Sequence, residues 1–336
     1  MLLDSLLKSR NTQIDLVIPG LFDLPLYELD EQGLQDQTPA LHRVLRYARR
    51  IDNRCFDIDE ILVDTLGLSQ KVLPYAHACK GSNAGYAVLF KPIHLKADIN
   101  NALVFPVQES NDNISQLIND LQDFFKDDFT IHTLDDGLFL MHLHQVQAML
   151  DIPHYLAAAG KKVTHYLEQA KSNLQWFKLF NEIQMFLFQH PLNQQRRQQG
   201  MPEINSLWCW GGDCWQGESF SQRTWFSDDV EMKALGRLYC ADSCGLDEFA
   251  GSDHHQHAIL VDLNILRSLK GDRDQDLMQL LMDIEQKYLS PLMHSTAHDL
   301  RIRAGASFDL QFSRSMAGKF WRKPVTLAQL SSLRSD

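Results

Sequence analysis

The chain has 336 residues, 44% hydrophobic and 22% charged, with a formal net charge of -11 and a sequence pI of about 5.7. That composition supports a sizeable core in one large domain or two modest ones. It excludes nucleic acid and anionic membrane surfaces as expected partners, because both demand a basic face. No apolar run approaches the roughly 20 residues of a membrane span. Met1 to Arg10 carries Asp4 among its leucines and has no small-residue cleavage site, so no secretory signal is expected. Six cysteines are too few for a disulfide scaffold. The expectation is a cytoplasmic protein with reduced thiols.

Ile14 to Ile18 (IDLVI) reads as a buried first strand ended by Pro19-Gly20. Thr38-Pro39 supplies an N-cap and first-turn proline for a helix through Arg50. A short helix is expected over Asp57 to Leu66. Tyr86 to Phe90 and Ala102 to Val107 read as strands. Asp112 is the expected cap of a helix whose apolar positions run Ile114, Leu117, Ile118, Leu121, Phe124 and Phe125. Phe129 to Thr133 and Leu138 to His144 follow, joined through Asp135-Asp136-Gly137 as a hairpin.

A long helix is expected from Ser172 to Gln189, with the stripe Trp176, Phe177, Phe180, Ile183 and Leu187. His190 to Asn205 contains Pro191, Gly200 and Pro202 and reads as a loop. The strand Ser206 to Trp210 closes it at Gly211-Gly212. Ala258 to Leu263 is a further buried strand. Leu277 to Leu289 is an amphipathic helix stopped near Pro291, and Leu300 to Arg303 and Phe308 to Phe312 are terminal strands. Strands alternating with helices at both ends imply an α/β protein with a mostly parallel sheet flanked by helices. The middle implies a small inserted α+β subdomain at 91–160, with 1–90 and 161–336 forming the core.

Recognition chemistry is densest over 181–212. Glu182, His190, Asn193, Arg196 and Asn205 are crowded there beside Trp208 and Trp210. Arg196 can grip a phosphate or carboxylate through its planar fork, the asparagines can fix hydroxyls, and the indoles can stack on a ligand. The competing expectation is that these side chains tie down a long loop, and that Trp208 and Trp210 simply alternate in a core strand. The run Asp253-His254-His255-Gln256-His257, with Cys240 and Cys244 before it and Asp262 after, holds the residue types of a zinc site, though without a recognised zinc spacing. Cys209 and Cys214 have no redox spacing. His132, His142 and His144 lie along an expected hairpin whose register the sequence leaves open. No P-loop, GxGxxG or G-x-S-x-G elbow is present.

The pattern His190-Pro191-x-Asn193-x-x-Arg196-x-x-x-Gly200-x-Pro202-x-x-Asn205, then Trp208-x-Trp210-Gly211-Gly212, resembles cofactor-independent phosphoglycerate mutases of the archaeal type. It resembles still more a set of bacterial relatives described as uncharacterised or regulatory, where Asn181-Glu182-Ile183-Gln184-Met185 is expected just ahead. Ile18-Pro19-Gly20-Leu21-x-Asp23, Thr38-Pro39-Ala40-Leu41, Pro92-Ile93-His94-Leu95 and Phe320-Trp321-Arg322 are weaker matches spread over most of the chain. The resemblance implies an alkaline-phosphatase-like core with an inserted subdomain. It also implies a serine nucleophile and two divalent metals held by Asp and His.

Against that pattern, Pro19-Gly20 replaces the Asp-Gly after the first strand. Asp262-x-x-x-Leu266 replaces Asp-x-x-x-His, and Arg303-Ala304-Gly305-Ala306 replaces Asp-His. Ser82 is the one serine in a suitable Gly-rich setting. The expectation is therefore a degenerate homologue, without cofactor, binding a small phosphorylated or carboxylate metabolite in a regulatory role through Glu182, His190, Asn193, Arg196, Asn205, Trp208 and Trp210. The alternative is an active enzyme with zinc or manganese rearranged onto Asp253, His254, His257 and Asp262.

Overall fold

The computed structural model describes residues 12–316 apart from 32, 70–71, 82–84, 99–100, 109, 136, 146–150, 172, 213–214, 216, 218–220, 252–256, 295–297, 306, 314–315. Its strands in chain order are β1 (Thr12–Val17), β2 (Arg49–Asp52), β3 (Tyr86–Asp98), β4 (Asn101–Pro106), β5 (Phe129–Asp135), β6 (Leu138–Leu143), β7 (Ser206–Trp210), β8 (Ser221–Phe226), β9 (Cys240–Cys244), β10 (His257–Val261), β11 (His298–Arg303) and β12 (Phe308–Ser313). They form two sheets, and the chain divides into two compact units, 1–68 with 219–269 and 274–336, and 69–218 with 270–273.

The first unit holds a 7-stranded sheet in the order β2-β12-β11-β1-β10-β8-β9. β11, β1, β10, β8 and β9 run parallel, and β12 and β2 close one edge antiparallel. This is the mostly parallel α/β sheet expected from the strand–helix alternation. Ile14, Leu16, Leu260, Leu300 and Ile302 are buried and join one core with Leu41, Val44, Leu281 and Ile284 from the helices. Central parallel strands read as apolar runs because helices cover both of their faces.

Local chemistry explains most of the helix ends. Asp57 accepts a hydrogen bond from Glu60 N (3.0 Å) and starts the helix Ile58–Leu66. Thr38 stands at the N-cap of Pro39–Tyr47, but its hydroxyl is turned back to donate to Leu34 O (2.8 Å). Glu285 replaces it, accepting from Ala40 N (2.8 Å) and Leu41 N (2.9 Å) with both carboxylate oxygens. A carboxylate at a helix N-terminus satisfies orphan N–H groups and suits the helix dipole. The helix Leu277–Ile284 does not stop near Pro291. It passes through a π-helical turn, Glu285–Leu289, into the helix Ser290–His294. Pro291 falls in the first turn of that last helix, where a missing N–H costs little.

The second unit is built on antiparallel pairing. β3 pairs with β4, β6 and β7, and β5 pairs with β6. It extends well beyond 91–160. β3 is 13 residues long and runs through the expected boundary at residue 90, and β7 pairs with it from far along the chain. The expected hairpin β5–β6 is present with a bulge between Thr133 and Asp135. Ser110, rather than Asp112, caps the helix Asn111–Phe124. Asn173 caps the long helix Leu174–Gln189. Residues 190–205 are not all loop, since Pro191–Gln198 is a helix. Pro191 occupies its first turn, the His190 ring nitrogen accepts from Leu192 N (3.2 Å), and Gly200 at φ 70 follows its end. No helix among the described residues is long and apolar enough to cross a membrane.

Candidate functional site

The family chemistry would sit at the carboxyl ends of the parallel strands in the first unit. β1 leads there into Pro19 and Gly20. Gly20 has φ 85 and donates to Ala304 O (2.9 Å), and an added Cβ would lie 2.9 Å from Leu269. Beyond β10, Asp262 is buried. It accepts from Asn264 N (2.9 Å) and from the Tyr288 hydroxyl (2.9 Å). Burial raises its pKa, against the pull of those two donors. Leu266 lies in the helix Asn264–Leu269 that follows β10.

Arg303 ends β11 and is 1% exposed. Its guanidinium donates to Asp64 (2.6 Å) and Thr65 Oγ1 (2.8 Å) and stands 3.6 Å from Asp15 and 3.8 Å from Asp309. Arg301 grips the same Asp309 carboxylate at 2.7 Å, and Arg223 lies 3.6 Å from Asp15. Burial raises the Asp15 pKa, opposed by Arg303, Arg223 and Arg301. Near the end of β8, Arg267 holds both Asp229 (2.5 Å) and Glu231 (3.2 Å). Burial, with Glu231 adding to it against Arg267, pushes Asp229 up to about 6. The buried carboxylates Asp15 and Asp309 thus face the chain's own arginines, and the buried Asp262 faces a tyrosine hydroxyl.

The expected metal residues do not assemble in the described part. Asp253, His254 and Ser82 lie outside the described residues. His257 opens β10 and is exposed, whereas Asp262 follows its last residue. At a strand rise of about 3.3 Å per residue the two are roughly 16 Å apart, too far to share an ion. Cys240 and Cys244 stand at opposite ends of β9, and burial pushes the Cys240 thiol up to about 11. Cys214 lies outside the described residues, and Cys209 is a buried free cysteine. Among the described residues no group of three His, Cys, Asp or Glu side chains has the arrangement of a metal site.

In the second unit, Asn193, Arg196, Asn205 and His190 of the 181–212 block are engaged within the fold. Asn193 is buried, donates to Leu187 O (2.7 Å) and Ile204 O (2.7 Å), and accepts from Ile204 N (2.8 Å). Arg196, 3% exposed, donates through Nε to Pro202 O (2.7 Å) and through Nη1 to Gln108 O (3.4 Å). Asn205 extends the β3–β7 pairing with its side chain, accepting from Leu95 N (2.7 Å) and donating to Leu95 O (3.0 Å). His190 caps its helix through Nδ1 and meets Asp120 through Nε2 at 3.1 Å. Trp210 is 1% exposed and packs on His154 and Tyr155. Glu182 is exposed, 3.9 Å from Lys178. These residues share the strand, helix and turn that they stabilise, not one opening.

Trp208 is the exception. It donates from its indole nitrogen to Pro153 O (3.1 Å) and lines a cavity of ≈ 290 Å³. Asn181 and Gln184, two of the five residues in the run expected ahead of the block, line the same cavity. On the β5–β6 hairpin, the His132 and His142 rings meet edge to face at 5.1 Å, and His144 bonds Thr130 Oγ1 (3.0 Å).

The buried acid–arginine network was missed from sequence. Its signal is a charged residue inside an otherwise apolar strand: Asp15 in IDLVI, Arg301 and Arg303 around Ile302, Asp309 between Phe308 and Leu310. No family model matches the chain, and no curated protein matches it. Among solved structures it is similar to the PH0037 protein from Pyrococcus horikoshii, at 13% identity and a TM-score of 0.50, over 92% of each chain. It is also similar to the cofactor-independent phosphoglycerate mutase from Thermoplasma acidophilum DSM 1728, at 14% identity and a TM-score of 0.43, over 96% of this chain and 100% of the other. At these identities the likeness to the Pyrococcus protein speaks for fold alone, and the second score is too low to add to it.

Proposed function

We propose that the chain is a non-catalytic relative of the cofactor-independent phosphoglycerate mutases, which keeps their two-unit plan and binds a small metabolite in a regulatory role. The 190–212 residue pattern and the mostly parallel sheet with a separate antiparallel unit support the relationship. One observation carries the loss of catalysis: Arg303 closes β11 at the strand end where the family pattern has Asp-His, with its charge held by Asp64 and Asp15. A two-metal phosphoryl-transfer site needs carboxylates and imidazoles facing the ions. A guanidinium is always protonated and has no lone pair for a metal. Tyr288 likewise occupies Asp262. The described donor set does not fit a pair of divalent cations.

The test is turnover. Purified protein should neither interconvert the two monophosphoglycerates nor hydrolyse a simple phosphate ester above a protein-free control, with manganese or zinc supplied. Metal-dependent turnover would overturn the proposal. It would favour the rearranged site on Asp253, His254, His257 and Asp262.

A further inference from the structure

We propose that the cavity under the helix Leu174–Gln189 is a binding site for a small, neutral, flat molecule that carries a carboxamide-like edge. It lies wholly within the second unit and stands on its own lining, whatever the first unit does.

The helix face explains why the cavity has this chemistry. Phe177, Phe180, Asn181 and Gln184 recur at the spacing of one helical face and all line the cavity. The last two positions, both half-buried, carry primary amides. Gln184 donates to Ser206 Oγ (3.3 Å) and keeps its carbonyl for another partner. Among the described residues the Asn181 amide has no hydrogen-bond partner, so its donors and its acceptor are both available. A half-buried amide meets water until the polar edge of a ligand replaces it.

The remaining walls are apolar. Trp176 and Trp208 add indoles, and Leu95 and Leu167 add aliphatic surface. Trp208 has spent its N–H on Pro153 O, so its ring offers only apolar contact and stacking. Cys209 is buried, and that burial raises its thiol pKa, which keeps it uncharged. No lining residue is Lys, Arg, His, Asp or Glu. A phosphate or carboxylate would lose its hydration there with no counter-charge. A flat neutral ring would lie against the aromatic walls and turn an amide edge to Asn181 and Gln184. At ≈ 290 Å³ the space is at the small end of ligand sites, which run from about 300 Å³ upward.

Naphthamide and naphthoate have the same ring and differ in the edge, so they separate an amide site from an anion site. Calorimetric titration of the full chain should give saturable naphthamide binding at least about tenfold tighter than naphthoate. Asn181→Leu should weaken naphthamide by about fivefold or more and leave naphthalene-only contacts intact, closing the gap between the two probes. Leu167→Phe should fill the space and abolish binding. Asn181 and Leu167 are only half-buried, so both variants should retain the parent circular dichroism and melting temperature. Absent or non-saturable binding, naphthoate binding as well as naphthamide, or binding unchanged in both variants would overturn the site. Phosphomutase turnover with this binding intact would overturn the reading of the first unit and leave the cavity assignment standing.

Discussion

Asp15, Asp309 and Arg303 are buried in the mostly parallel sheet as groups of opposite charge, whereas Asn193 is buried in the antiparallel unit as a neutral amide. The two solutions differ in how far apart the partners lie in the chain. Arg303 meets Asp64 across 239 residues, while Asn193 closes onto Ile204 across 11. A charged network of the first kind exists only after the sheet forms. An amide clasp of the second kind can form as soon as its own helix and turn do. The same crowding of polar side chains over 181–212 that suggests a ligand loop from sequence is therefore equally what a backbone clasp requires.

The largest expected effect tests the charged half of this contrast. Arg303→Met should destabilise the protein by about 3–5 kcal/mol in urea titrations, since it strands buried carboxylates. Replacing the group together, as Asp15→Leu, Arg303→Met and Asp309→Leu, should cost less than the single change. If the triple variant is the weaker of the two, the network is not acting as a compensated unit.

Asn193→Ala should cost about 2–3 kcal/mol, because Leu187 O, Ile204 O and Ile204 N lose their partner where water cannot replace it. A change below about 0.5 kcal/mol would put Asn193 among surface-like positions and reopen it as a ligand contact.

Asp229 gives the next effect, through pH. Its folded pKa is raised from 3.8 to about 6, chiefly by burial. Between those values the native state holds a proton that the unfolded chain releases, so this contribution is complete below the lower value and is lost as pH rises through about 6. Asp229→Asn should remove a stability change on the order of 2–3 kcal/mol between about pH 4 and about pH 7. An unchanged slope in equilibrium unfolding would mean that Arg267 keeps Asp229 ionised throughout. Glu182→Ala is the smallest change. Its exposed pair with Lys178 should be worth less than about 0.5 kcal/mol, and melting should barely move.

Much of this fold was legible because the apolar periodicities are strong. IDLVI, the 258–263 run, the Asp-Asp-Gly hairpin and the stripe from Trp176 to Leu187 all occupy the elements that their spacing implies. Less was legible where tertiary partners override local signals. Thr38 reads as a cap, but Glu285 arrives from a π turn and takes the role. Pro191 and Gly200 read as loop residues, although both are equally suited to the ends of the short helix between them. β8 and β9 escaped because SQRTWF and CADSC carry few apolar residues. Of the residues the sequence singles out as ligand contacts, Trp208 lines the cavity. Asn181 and Gln184 stood in the sequence as part of a matching run, with nothing to say that they face inward until the helix is set against β7.

We propose that the strand ends of the first unit carry internal cations where the family pattern has metal ligands. Calorimetric titration of the purified, chelator-treated protein with manganese and with zinc tests it most directly, with the Arg303→Met variant run alongside. The expected result is no stoichiometric binding to the parent chain and no gain in the variant. One or two equivalents of tightly bound metal, with an accompanying rise in melting temperature, would contradict it.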